Sequence, residues 1–155
     1  MPRHKKIVKK ILEADPLYKS RIVTRFINRI MLHGKKSTAE GVLYSALSKI
    51  SEDKKEAAKI FEDAVKNVMP KIEVRSRRVG GATYQIPTPL KHDRSEALAL
   101  RWIIGVCRKR KGKTMSDKLH EELVSASKNQ GEAIKKRDDT HKMAEANRAF
   151  AHFRW

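Results

Sequence analysis

The sequence predicts a mainly α fold: a bundle of about six helices with one protruding β-hairpin between the third and fourth helices. Three observations carry that reading. Apolar residues recur at three- and four-residue spacing over most of the chain, the mark of a buried helix face. The period drops to two between Ile72 and Pro87, where alternating side chains indicate strands. Gly80-Gly81 sits in the middle of that stretch and supplies the positive φ angles of a two-residue turn.

The first helix is expected from about Ser20 to Leu32, with Ile22, Val23, Phe26, Ile27, Ile30 and Met31 on one face. At about 100° per residue, Arg21, Arg25 and Arg29 fall on nearly the opposite face, with no acid on the helix to pair them. Such a stripe suits phosphates as well as it suits water. Gly34 stops this helix, and Ser37 with Glu40 reads as a capping box for the second. The second helix points Val42, Leu43, Ala46, Leu47 and Ile50 inward. The third spans about Lys54 to Met69, inward at Ala57, Phe61, Ala64, Val65 and Val68, and Pro70 ends it.

In the hairpin, over residues 72–87, a two-residue turn sets Arg77 opposite Tyr84 and Arg75 opposite Ile86, and Pro87 and Pro89 are expected to end the ribbon. A lone two-stranded ribbon is marginal in water, so this one should rest on something. The fourth helix, about Arg94 to Arg110 with Asp93 and Glu96 as cap candidates, carries Leu98, Leu100, Trp102, Ile103, Ile104, Val106 and Cys107. So little polar face marks the central buried helix. Arg94, Arg101 and Arg108 fall seven apart and share one exposed stripe. A fifth helix from about Ser116 to Ser127 turns Leu119, Leu123 and Val124 inward, and Asn129 and Gly131 stop it. The sixth starts near Glu132 and runs to the C-terminus, with Asp138-Asp139-Thr140 as the place for a break.

The chain has 155 residues, a length suited to one domain. Lys and Arg number 36 against 18 Asp and Glu, a formal net charge of +18. A chain so basic repels itself unless something anionic neutralises it, so a polyanionic partner is expected. At 39% hydrophobic it is too apolar for a disordered basic tail. One cysteine cannot form an internal disulfide. No apolar run approaches the roughly 20 residues that span a bilayer. The first ten residues, MPRHKKIVKK, are basic, but no apolar stretch follows as in a signal peptide. Glu13 and Asp15 come too early for an organelle transit peptide. These features predict a soluble intracellular protein with no membrane partner. Its cations fall in separate clusters, in 1–51, 74–92, 108–113 and 135–137, which suggests a folded surface that collects charge.

No catalytic constellation emerges. Gly112-Lys113-Thr114 resembles the end of a phosphate-binding loop, but Cys107 stands where the first glycine belongs and a helix precedes it where a strand is needed. Cys107 lies in the most apolar helix and reads as a small core residue. The six histidines show no zinc spacing. Asp138 and Asp139, which a nuclease could use with His141, stand beside Lys135, Lys136 and Arg137 and read as ion-pair partners. An enzyme, a metal, a cofactor and a small-molecule substrate are therefore not expected. A DNA-binding helix-turn-helix protein is the main rival, but such readers are usually dimers and no spare apolar seam is visible.

Several strings are more specific than a fold class. EVRSRRVGGATYQIP at 73–87, ALRWII at 99–104, GKTM at 112–115, HGKKSTAE at 33–40 and KKRDDTHKMAEANRAFAHFRW at 135–155 closely resemble small-subunit ribosomal protein seven of bacteria and organelles. The resemblance covers essentially the whole chain and is weakest in 1–19 and 51–60. It implies a helical bundle with a β-ribbon and a primary binder of small-subunit rRNA that nucleates assembly of the head. It implies exit-site tRNA and upstream mRNA nearby, with platform protein eleven and head protein nine as neighbours. The rRNA-facing residues it implies are Arg3, Lys5, Lys6, Lys9 and Lys10 of a basic N-terminal arm over 1–19, then Lys35, Lys36, Arg75, Lys109, Arg110, Lys113 and Met115. Lys135, Lys136, Arg137, His141 and Arg148 of the C-terminal helix at 132–155 complete that set, beside Arg25 and Arg29 of the stripe above. Arg77, Arg78, Gly80, Gly81 and Tyr84 form the hairpin tip, expected to face tRNA and mRNA. The location expected is the ribosome of a cytoplasm, with an organelle matrix left open.

Overall fold

The computed structural model describes residues 12–153. In order come α1 (Arg21–Ile30), α2 (Lys36–Ser48), α3 (Lys54–Val68), β1 (Ile72–Val79), β2 (Ala82–Pro89), α4 (His92–Lys109), α5 (Met115–Ser127), α6 (Glu132–Ala146) and a closing 3-10 turn (Arg148–Phe153). The fold is mainly helical, with a two-stranded antiparallel hairpin between α3 and α4.

The periodic residues form one core. Phe26 of α1 and Phe61 of α3 are fully buried and meet edge to face, ring centroids 5.4 Å apart, a geometry that aromatic quadrupoles favour. α4 packs against α1, α3, α5 and α6, and Leu98, Leu100, Trp102, Ile103, Ile104, Val106 and Cys107 are all buried. It is the central helix that its composition demands. Asp15 docks the segment before α1: its carboxylate accepts the Leu17 and Tyr18 N–H groups and, at 2.7 Å, the Tyr44 hydroxyl of α2.

The structure corrects several local expectations. α1 ends at Ile30, because Met31 takes an extended conformation and His33 and Gly34 have φ of 52° and 74°. The Ser37–Glu40 capping box does not form. α2 begins at Lys36, so Ser37 lies inside the first turn, and Glu40 pairs with Lys36 at 3.6 Å instead. The caps at Asp93 and Glu96 also fail, since α4 starts at His92 and the buried Glu96 faces α1. The working caps are Asp53, which accepts the Lys55 N–H, and Thr114, which accepts the Asp117 N–H.

The hairpin keeps its expected register, Arg77 opposite Tyr84 and Arg75 opposite Ile86, with Gly80 and Gly81 at φ 56° and 91°. Pro87 does not end it, since pairing continues to Ile72 opposite Pro89, and β2 stops at Pro89 as expected. Residues on either side of a two-residue turn form a hydrogen-bonded pair, and such pairs alternate with non-bonded ones. Pro87 and Pro89 occupy non-bonded positions, so their missing N–H groups cost no ladder bond. On α5, Val124 is only half-buried and the buried acid Glu122 takes a place on the inward face. α6 runs unbroken through Asp138-Asp139-Thr140, where the Thr140 hydroxyl donates to the Lys136 carbonyl at 2.8 Å. The break comes at Asn147, and the 3-10 turn follows.

Candidate nucleic-acid interface

Buried carboxylates decide which cations are free to meet an anion. Glu96, with its side chain 5% exposed, receives Arg25 at 2.9 Å, so the α1 stripe does have an acid partner, supplied by α4. Its contact with that carboxylate holds the Arg25 guanidinium above its ordinary value, against the opposing effect of burial. Glu73 of β1 receives both Arg75 and, at 3.3 Å, Arg94. Glu122 of α5 is fully buried, pairs with Arg110 and accepts the Ala133 N–H at 2.8 Å. It thus fills an unmet donor at the N-terminus of α6. Gly131 makes room for it: a Cβ there would lie 2.9 Å from Glu122 Oε1, on a backbone with φ +102°.

Segments distant in sequence meet where Arg108, at the end of α4, donates to the Ile30 carbonyl and Met115 opens α5 beside α2. Residues 31–35 join α1 to α2, and residues 110–114 join α4 to α5. Beside the first of these loops lies a concave pocket of about 430 Å³, lined by Ile30, Val42 and Met115, with Leu32 and Ala39 beside them. His33, Lys35 and Arg108 line its edge. Arg108 is tied down by donating to the Ile30 carbonyl at 3.1 Å. Lys113 pairs with Glu121, and Lys36 with Glu40. Lys35, Lys109 and Lys111 have no carboxylate partner among the described residues. A second groove, of about 520 Å³, is lined by Arg25, Asn28 and Arg29 of α1 and by Asp93, Glu96 and Leu100 of α4.

The remaining expected residues sit around α6 and the hairpin. Lys135 is exposed, and Lys136 places its ammonium 5.9 Å from the Trp102 ring centroid. Arg137 pairs with Asp138 at 2.7 Å and also donates to the Asn67 carbonyl. Arg148 is exposed, with Glu145 at 3.5 Å. Tyr84 leans on Phe150 and Phe153 of the closing turn, at 5.1 and 5.4 Å between centroids, so the ribbon does rest on something. Arg78 is exposed beside the turn glycines. Arg3, Lys5, Lys6, Lys9 and Lys10 lie outside the described residues. The sequence reading missed Glu73, Glu96 and Glu122, the acids that hold these arginines. Their one visible signal is an acid set within an apolar stripe, as Glu122 stands between Leu119 and Leu123.

His141 Nε2 accepts the Lys71 N–H at 3.1 Å, so its neutral form is the one used here. Burial and then the positive Arg137 hold the imidazole below its ordinary 6.5, with Lys71 adding to that and Asp138 opposing it. The folded state binds this proton less readily than the unfolded chain. The contribution is therefore present above about pH 6.5 and lost as pH falls below it. Thermal melts should show the stability gap between wild type and His141→Gln shrinking from about pH 7.5 to about 5.5.

Among the described residues no group of His, Cys, Asp and Glu is placed to hold a metal, and no helix is long and apolar enough to cross a membrane. Burial pushes the Cys107 thiol up to about 12, where it is no nucleophile.

A profile of the family described as ribosomal protein S7p/S5e matches residues 2–148. The small ribosomal subunit protein uS7 of Desulfitobacterium hafniense (strain DSM 10664 / DCB-2) is 53% identical over 156 residues, covering all of both chains. The uS7 proteins of Syntrophotalea carbinolica and Pelagibacter ubique are 53% and 52% identical with the same full coverage. With its whole length matched, the chain belongs to the ribosomal protein S7p/S5e family, a family of small-subunit ribosomal proteins and not of enzymes.

Proposed function

We propose that the chain is one rRNA-binding domain, a primary binder of small-subunit rRNA that nucleates assembly of the head. Its hairpin is directed toward exit-site tRNA and upstream mRNA, and platform protein eleven and head protein nine are its neighbours. The observation that carries the reading is the apolar pocket between loop 31–35, the start of α2, the end of α4 and Met115 of α5, with His33, Lys35 and Arg108 on its lining. Side chains cannot enter the deep, narrow major groove of an RNA helix, so folded RNA is recognised by shape, phosphates and splayed bases. A pocket lined by Ile30, Val42 and Met115 suits an unstacked base, and Lys35 at its edge suits a phosphate beside it. The α1–α4 groove and the exposed cations of α6 supply further grips on the same rigid body. A body with several grips recognises how RNA helices are placed at a junction.

The hairpin tip buries little and leaves the core untouched. Deleting Arg78 to Ala82 and closing the strands with a short turn is expected to leave incorporation into small subunits largely intact, while weakening exit-site tRNA occupancy and raising frameshifting. Subunit incorporation and a frameshift reporter measure the two halves. Lost incorporation with unchanged fidelity in the subunits that do assemble would make the tip an assembly anchor instead.

A further inference from the structure

The direction of the hairpin is set by a group of side chains that the rRNA reading either ignores or assigns to phosphates. Asn67, in the last turn of α3, donates through Nδ2 to the Ala126 and Ser127 carbonyls at 3.1 and 3.0 Å. Both carbonyls lie at the end of α5, and that of Ala126 also accepts the Asn129 N–H at 3.0 Å. The Asn67 carbonyl in turn accepts from Arg137 Nη1 of α6. One helical turn along α6, His141 Nε2 accepts the Lys71 N–H at 3.1 Å. Between them the buried Pro70 carbonyl takes the Ser95 hydroxyl of α4 at 2.6 Å. The five residues from Asn67 to Lys71, which launch β1, are thus tied to α4, α5 and α6. Farther out, Tyr84 lies against Phe150 and Phe153.

We propose that Asn67, Arg137 and His141 are positioning residues that fix the direction of the β-hairpin relative to the bundle, and that the Tyr84–Phe150 contact holds its outer half. The functional meaning of this brace rests on the reading of the hairpin as the arm that faces tRNA and mRNA. Leverage makes the brace matter. Eight strand residues at about 3.3 Å each reach about 26 Å, so a 10° rotation at the base moves the tip by roughly 4–5 Å. That shift would carry a guanidinium out of hydrogen-bond range of a phosphate. The core does not need Arg137 or His141, since α6 is anchored to it by the buried Ala133, Ile134 and Ala144. It also follows that Arg137 and His141 act on RNA through the hairpin rather than by touching phosphate.

Pulsed dipolar spectroscopy on the free, full-length protein tests this directly. Nitroxides are placed at Thr83→Cys near the tip and at Lys59→Cys on α3, both exposed, in a Cys107→Ala background. The wild-type background should give one narrow distance distribution. His141→Ala, Arg137→Gln and Phe150→Ala should broaden it by several ångströms with helix content unchanged. His141→Gln, which keeps an acceptor near the Nε2 position, should restore the narrow distribution. Melting temperatures that fall while the distributions of folded molecules stay narrow would overturn the proposal and leave these residues merely structural. If Arg137→Gln fails to fold, the comparison of His141→Ala with His141→Gln decides alone. Broadened distributions with normal frameshifting and normal exit-site tRNA binding in assembled subunits would sustain the brace and remove the tRNA reading. Narrow distributions would remove the brace whatever translation does.

Discussion

Replacing Glu122 with alanine is expected to cost about 3 kcal/mol of folding stability, the lower end of the roughly 3–5 kcal/mol that breaking a buried ion pair costs. The carboxylate is fully buried, and its removal orphans two donors at once. The Arg110 guanidinium, with its side chain 27% exposed, keeps only Glu121 at 4.0 Å, which softens its loss. The Ala133 N–H is left without its acceptor at the start of α6. Since Arg110 belongs to the basic loop and α6 carries Lys135 and Lys136, the change should also loosen relative to each other two segments proposed to face rRNA. Chemical denaturation measures the cost. A loss below about 1 kcal/mol, the worth of one ordinary hydrogen bond, would show that Glu122 is not a joint between them.

Trp102→Ala is expected to cost more, about 3–5 kcal/mol, as large-to-small changes of buried aromatic residues do. Trp102 is 8% exposed on the central helix and lies beneath the Lys136 ammonium. Its neighbour Arg101 is exposed, so Arg101→Ala should stay within about ±0.5 kcal/mol. Measuring both by denaturation separates the buried face of α4 from its exposed one. Equal costs would mean that α4 is not the central helix of the bundle.

Periodicity made the helices legible, because each apolar stripe has one place to go. Val23, Phe26 and Ile27 on α1 and Ala57, Phe61 and Val65 on α3 are all buried as their spacing requires. The hairpin register followed from Gly80-Gly81, because a two-residue turn leaves no freedom in the pairing. Helix starts were less legible. Ser37 and Glu40 satisfy the capping-box pattern, yet the preceding loop turns so tightly through His33 and Gly34 that Lys36 is already helical. Composition located the cations but not their partners, because Arg25 meets Glu96 across 71 positions of sequence and Arg137 meets Asn67 across 70. Long-range pairing of this kind has no local signature. The apolar pocket that brings loop 31–35 beside Arg108 and Met115 was hidden for the same reason, although Lys35 and Met115 on its lining were both expected to face rRNA.

The central claim is that this protein grips rRNA through many phosphate contacts made by its folded surface. The direct measurement is the association constant with a cognate small-subunit rRNA fragment, taken over a range of monovalent salt. Each neutralised phosphate releases condensed counterions, so log K against log salt should fall with a slope of several units. Lys35→Ala with Lys36→Ala should weaken binding and reduce that slope by roughly one to two units. A nearly flat dependence, or a double variant that binds with an unchanged slope, would contradict the account.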